Sequence, residues 1–284
     1  MLNDFLLDTE RVRIAPDKVV PKTTAHPTTV DQPSPVGNRN GIAPKIIDAD
    51  SIIKTQKLLD RAIVLAWRDI KSSRRPPDLT RTRWVWRLAG AYHSSRHTTR
   101  LMEEATQRFA ASGRQNLAQW AAQKAREEAG HDRLALLDIQ SMGYNAEAVV
   151  QVLLPSGATA FVDYFTQTVQ ALDPIGCLGV FYAGERLGTL AGEEYIQRVK
   201  TLLPPGTHAT RWLRVHSGVG DEVKHVEETV EVVAELTPQE LICVARACYE
   251  TALSRFNPPK EDYISDEELL NVLKPLELNT YLRV

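Results

Sequence analysis

Several features are scarce in this chain of 284 residues. It has three cysteines, Cys177, Cys243 and Cys248. That is too few for a disulfide framework. Cys243 and Cys248 are five apart in a helical pattern, which turns them roughly 140° from each other, so they are not expected to pair. Small core residues in a reducing cytosol explain all three. No stretch of eighteen apolar residues occurs, which argues against a membrane span. The first fourteen residues, MLNDFLLDTERVRI, carry an acid at Asp4 and no long apolar run, unlike a secretory signal. Charge of one sign is missing too. The formal net charge is −2, with no basic run interleaved with aromatics, so no nucleic-acid footprint is expected. Finally, no run of alternating apolar residues is long enough for a sheet.

What remains is helical. Apolar residues make up 43% of the chain, enough for a sizeable core. Residues 1–46 stand apart: Pro16, Pro21, Pro27, Pro33, Pro35 and Pro44 stop helix propagation and predict an extended arm, wrapped on the body, lent to a partner subunit, or loose. Residues 47–257 form the expected helical domain, and 258–284 an acidic tail with one short helix near Asp266–Leu273. Asp50-Ser51 can cap a first helix that Pro76-Pro77 ends. Further stretches are expected over about 79–111, 115–141, 145–155, 158–172, 175–201, 207–235 and 238–255. Gly113 and Gly143 act as C-terminal stops, and Thr237-Pro238 starts the last stretch. The fold class is all-α, with about seven principal helices.

Two strings carry the chemistry. In EEAGHDRLALLDIQ, Glu128 and His131 lie three apart; in RVHSGVGDEVKHVEE, His216 precedes Asp221, Glu222 and His225. Residues three or four apart share a helix face, so either Asp221 or Glu222 can converge with His225. His216 joins them if Gly218 and Gly220 bend the backbone. Glu185 lies in the apolar stretch GVFYAGERLGTLAG. An unpaired carboxylate is costly there, so it is paired or liganding. Gly184, Gly188 and Gly192 beside it allow close helix contact or leave room for a substrate, and Phe181 and Tyr182 could line that room. A further ligand should come from the 79–111 helix. Counting from the turn at Gly113 puts the level of residues 128–131 near 95–98, which favours His97 or His93 over Glu103 and Glu104.

These residues resemble the haem-oxygenase-like di-iron oxidases, often called iron-containing redox enzymes. The likeness spans roughly residues 85–255. It implies a haem-oxygenase-like bundle of about seven helices. It also implies two Fe(II) ions held by Glu128 and His131, by Glu185, and by His216, Asp221 and His225. Two departures stand out. The family spaces its last element as His, three residues, Asp, two residues, His, whereas the gaps here are four and three. No glutamate sits at the expected depth on the first long helix.

The resemblance implies dioxygen as co-substrate and a small organic substrate that is hydroxylated, N-oxygenated or oxidatively cleaved. Carboxylates and imidazoles also suit Mn(II). An external electron donor and a homodimer fit this picture; nucleic acid and membrane do not. A ferritin-like iron-binding bundle is the first competing reading. It would use Glu222 with His225 and tolerate loss of His216. A metal-free scaffold, acting as a cofactor-free enzyme or an interaction protein, is the second, and it would take up almost no iron.

Overall fold

In the computed structural model, residues 10–15, 18–22, 48–70 and 77–278 are described. Strands β1 (Glu10–Ala15) and β2 (Lys18–Lys22) pair antiparallel, so the N-terminal arm contains a hairpin where no strand was expected. Pro21 is tolerated because an edge strand can lack one N–H donor. Helix α1 (Ala49–Arg68) is capped by Asp48, whose side chain accepts from Ser51 N, two residues earlier than the expected cap. Helix α2 (Arg81–Ala111) starts at Thr80 and stops before Gly113, which has φ +77°.

The expected 115–141 helix is two helices, α3 (Gln115–Glu127) and α4 (His131–Ser141). Gly130 between them has φ +86°, a conformation a side chain rarely adopts. Then come α5 (Ala146–Val152), capped by Asn145, and α6 (Ser156–Gln170). The expected 175–201 helix is also divided, into α7 (Gly176–Gly188) and α8 (Glu193–Thr201). So is 207–235, into α9 (Arg211–Val215) and α10 (Glu222–Ala234). A capping box of Thr237 and Glu240, with Pro238 at the first position, begins α11 (Pro238–Phe256). Helix α12 (Asp266–Leu273) lies where expected. Its Leu269 and Leu273 are buried against the start of α2, and Asp262 caps α6 through Ser156 N and Gly157 N.

No single helix among the described residues is long and apolar enough to cross a membrane. The sharply bent pair α5–α6 is apolar enough in composition, and it places Val149, Phe165 and Val169 in the interior.

Two apolar cores explain where the site falls. One contains Leu101, Met102, Ala105 and Phe109 of α2 with residues of α1, α3, α6, α7, α10 and α11. The other contains Trp84, Val85, Leu88 and Ala89 with residues of α4, α5, α8, α9 and α12. Helix α2, 31 residues and so about 45 Å long, runs through both. Between the cores its buried face turns polar, with Ser94, Ser95 and Thr98. The breaks at 128–130, 189–192 and 216–221 bound the segments that carry the site. Close backbone contact there needs glycine. A Cβ on Gly218 would stand 2.7 Å from Thr189 O, and one on Gly188 3.0 Å from His216 O. Cys177 and Cys248 are buried as expected, but Cys243 is exposed and is not a core residue.

Candidate metal centre

Two triads of carboxylate and imidazole lie side by side. Glu128, His131 and His216 form the first; Glu185, Glu222 and His225 form the second. Within each, one potential ligand atom per residue lies within 4.8 Å of the others. The helix breaks build the first triad. Glu128 ends α3, the left-handed Gly130 breaks the helix, and His131 opens α4, with Nδ1 3.3 Å from Glu128 Oε2. His216 ends α9, where its ring meets His131 edge-on at 4.7 Å between centroids and lies against Trp212 at the same distance.

Helix geometry builds the second triad. Glu222 and His225 are three apart at the start of α10, and α7 presents Glu185 opposite them. His225 Nδ1 is 3.6 Å from both Glu185 Oε1 and Glu222 Oε2. Glu222 joins the triads, since its Oε1 accepts a 2.7 Å hydrogen bond from His216 Nδ1. A charged carboxylate can only accept, so His216 Nδ1 carries a proton.

Charge is unevenly spread. Burial works against the Glu222 carboxylate, but His216 and His225 hold its pKa down to about 2. Burial pushes Glu185 well above the usual carboxylate range; Lys124 offsets this in part, while Glu222, Glu128 and Glu127 add to it. His131 is raised above the ordinary imidazole value because its hydrogen bond to Glu128, and that residue's charge, outweigh burial. In the sequence, Lys124 falls on the same helical stripe as Glu128, His131 and Asp138, a stripe unusually polar for its surroundings. It is fully buried, with Nζ 2.8 Å from Glu127, 3.1 Å from Glu228 and 3.6 Å from Glu185. Desolvation would lower its pKa, yet the three carboxylates raise it and keep the ammonium charged.

The donor set fits a cation. Glu185 Oε1, Glu222 Oε2, His225 Nδ1 and His216 Nε2 are buried without a hydrogen-bond partner. Leaving such atoms unpaired is costly, and a metal ion is one partner that satisfies acids and neutral imidazoles together.

Of the residues expected from sequence, Glu128, His131, Glu185, His216 and His225 come together. Asp221 does not. It is exposed as the residue before α10, and Glu222 takes the inward position because the 216–221 turn rotates α10 by one residue. The expected α2 ligands also stand elsewhere. His93 Nε2 lies between Val150 O and Leu153 O, at 2.9 and 3.0 Å, tying α2 to α5. His97 is half-buried outside both triads. The depth estimate was sound, but the face differed: Ser94, Ser95 and Thr98 point inward at that level. Tyr182 is turned away as well, donating to Asp60 Oδ1 on α1.

A cavity of about 390 Å³ opens beside both triads. Phe161, Phe165, Val180, Phe181, Leu187 and Phe256 supply apolar wall; Glu128, Glu185, Glu222 and His216 supply a polar one. Gly184 has open space where a Cβ would be, so in that stretch one glycine leaves room while Gly188 permits close contact.

Asp138 fixes the approach of α9. Fully buried on α4, it accepts from Trp212 N and Arg211 Nη1, both at 3.0 Å. Asp138→Ala strands that backbone donor, so it is expected to cost about 2 kcal/mol by chemical denaturation. It should also weaken metal binding through His216, four residues beyond Trp212. Unchanged stability together with unchanged metal binding would refute this role.

No protein-family model matches the sequence, and no curated protein matches it. Among solved structures, the chain is similar to a domain of unknown function with a heme oxygenase-like fold from Shewanella denitrificans. The TM-score is 0.50 and the identity 21%, over 73% of this chain and 84% of that one. At this identity the likeness speaks for the fold alone.

Proposed function

We propose that this haem-oxygenase-like chain is a non-haem di-iron oxidase or oxygenase that uses dioxygen on a small, largely apolar organic substrate. The observation that carries the reading is the pair of adjoining triads with their buried, unpartnered ligand atoms. Glu128, His131 and His216 would hold one ion, and Glu185, Glu222 and His225 the other. Carboxylates and imidazoles without thiolates favour Fe(II) or Mn(II) over zinc or iron–sulfur. Ferrous iron bound there would supply two of the four electrons that full dioxygen reduction requires, one per ion, with the substrate or an external donor supplying the rest.

The protein's own part is positioning and exclusion of water. The phenylalanines of α6 and α7 and Phe256 of α11 make an apolar wall that takes the substrate's hydrocarbon part. Ser94, Ser95 and Thr98 offer hydroxyls on another side, able to orient a polar substituent. Glu222 holds a His216 proton on Nδ1, which would leave Nε2 as the nitrogen that faces an ion.

Anaerobic Fe(II) loading, desalting and metal analysis test the reading. About two irons per chain, followed by dioxygen consumption, is the expected result; fewer than about 0.3 iron per chain would overturn it.

Binding should also release protons. Without metal, Glu185 and His131 hold their protons to higher pH than usual. A bound cation needs both deprotonated. Affinity should therefore rise with pH, and calorimetry in buffers of different ionisation enthalpy should detect net proton release on binding. A pH-independent affinity would contradict this.

A further inference from the structure

The two triads differ in one respect that ligand identity does not show: among the described residues, only the second has a lysine beside it. Lys124 Nζ lies 3.6 Å from Glu185 Oε1, an atom of that triad, and is held there by Glu127 and Glu228. Its side chain is fully buried, so water does not screen this charge. Glu127 in turn reaches to 3.5 Å from His225 Nε2, so two of the lysine's three carboxylates, Glu127 and Glu185, also flank that imidazole. Among the described residues the first triad has no comparable neighbour: no lysine or arginine forms an ion pair with Glu128, whose ionic partner there is His131.

We propose, building on the di-metal reading above, that Lys124 acts as a resident competitor for the second position, so the Glu128–His131–His216 triad binds metal first and tightly and the Glu185–Glu222–His225 triad binds second and weakly. A divalent ion entering the second triad must share Glu185 with the ammonium and bear its repulsion, whereas an ion entering the first triad meets neither. The lysine thereby also keeps the acid cluster folded without metal, because three buried or half-buried carboxylates would otherwise face one another unneutralised. Lys124 is a positioning residue in this sense, setting the order and spacing of the two affinities.

The probe is Mn(II) alone, titrated into the full chain and followed by the electron paramagnetic resonance of the free ion. The wild-type chain should bind in two steps whose affinities differ by at least about tenfold. His131→Ala should remove the tight step and leave the weak one. Lys124→Met keeps the buried shape but removes the charge; it should tighten the weak step by about tenfold or more and move the tight step less than about threefold. Glu228→Gln, at a half-buried position outside both triads, should act oppositely by freeing Lys124 to lean on Glu185, weakening the second step several-fold. Mere structural damage would weaken binding in both variants, so the opposite signs distinguish the roles. Should Lys124→Met fail to fold, Glu228→Gln decides by which step moves: a loss confined to the second step is expected, and an equal loss at both steps would overturn the inference.

Two unequal steps that Lys124→Met leaves unchanged would overturn this inference while the di-metal reading stands; so would loss of the weak step in His131→Ala. No Mn(II) or Fe(II) uptake at either step would overturn both.

Discussion

Glu222→Ala is expected to weaken metal binding at least about a hundredfold, whereas Asp221→Ala, one residue away, changes it less than about twofold. The contrast follows from geometry. Glu222 is 2% exposed and has both oxygens committed, Oε1 to His216 and Oε2 facing His225. Its removal takes one ligand from the second triad and the proton acceptor from His216 of the first, so both binding steps should suffer. Asp221 is exposed and belongs to neither triad. Equilibrium dialysis with Mn(II) gives the affinities. Glu222→Gln keeps the shape and a hydrogen-bond acceptor, so it should hold the fold while losing most of the affinity. If Asp221→Ala is the damaging change and Glu222→Ala the silent one, the turn after His216 is placed wrongly and the second triad is not a site.

Gly179→Ala should be among the most destabilising single-methyl changes in the chain. A Cβ at Gly179 would lie 2.1 Å from Val244 O, 2.8 Å from Cys248 N and 3.0 Å from Ala247 Cβ. Two of those neighbours are helix backbone that no rotamer change can move. Helices α7 and α11 would have to part, which costs at least about 3 kcal/mol and lowers Tm by roughly 6 °C or more. The strain should also reach the metal, because Glu185 lies six residues further along α7. Gly184→Ala is the control. Its added methyl would meet nothing within 4 Å and should not destabilise the chain, since helix preference favours alanine by up to about 1 kcal/mol, while it narrows the cavity. Equal melting temperatures for the two variants would show that the α7–α11 crossing is looser than described.

The residues that carry the site were largely legible, but their company was not. Glu128 with His131, and Glu222 with His225, stand at helical spacing, and an acid in the GVFYAGERLGTLAG stretch had to be paired or bound. Choosing between Asp221 and Glu222 needed the rotation of α10 about its axis, which the intervening glycines leave free in the sequence. The α2 estimate shows the same division. Distance from the Gly113 turn placed the site level near 95–98, where Ser95 and Thr98 do line the cavity. Which face of α2 turns inward depends on packing against α5, and His93 serves that packing instead. Lys124 left no distinctive signal, because its three carboxylates come from α3, α7 and α10 and meet only on folding.

Local rules settled most helices. Proline and glycine stops, caps at Asn145 and Thr237 and apolar periodicity placed α2, α5, α6, α11 and α12 to within a few residues. They also determined that the chain folds as helices packed on one another, since burying apolar stripes at that period leaves few alternatives. Only the tertiary structure decided that three long helical stretches break, at 128–130, 189–192 and 216–221. A glycine inside a helical pattern is compatible with a helix, a kink or a reversal, and local energies separate these by only about 1 kcal/mol. The choice falls to what the neighbours offer. Here two apolar cores meet along α2 at a polar level, and the broken ends there turn acids and imidazoles inward to face one another.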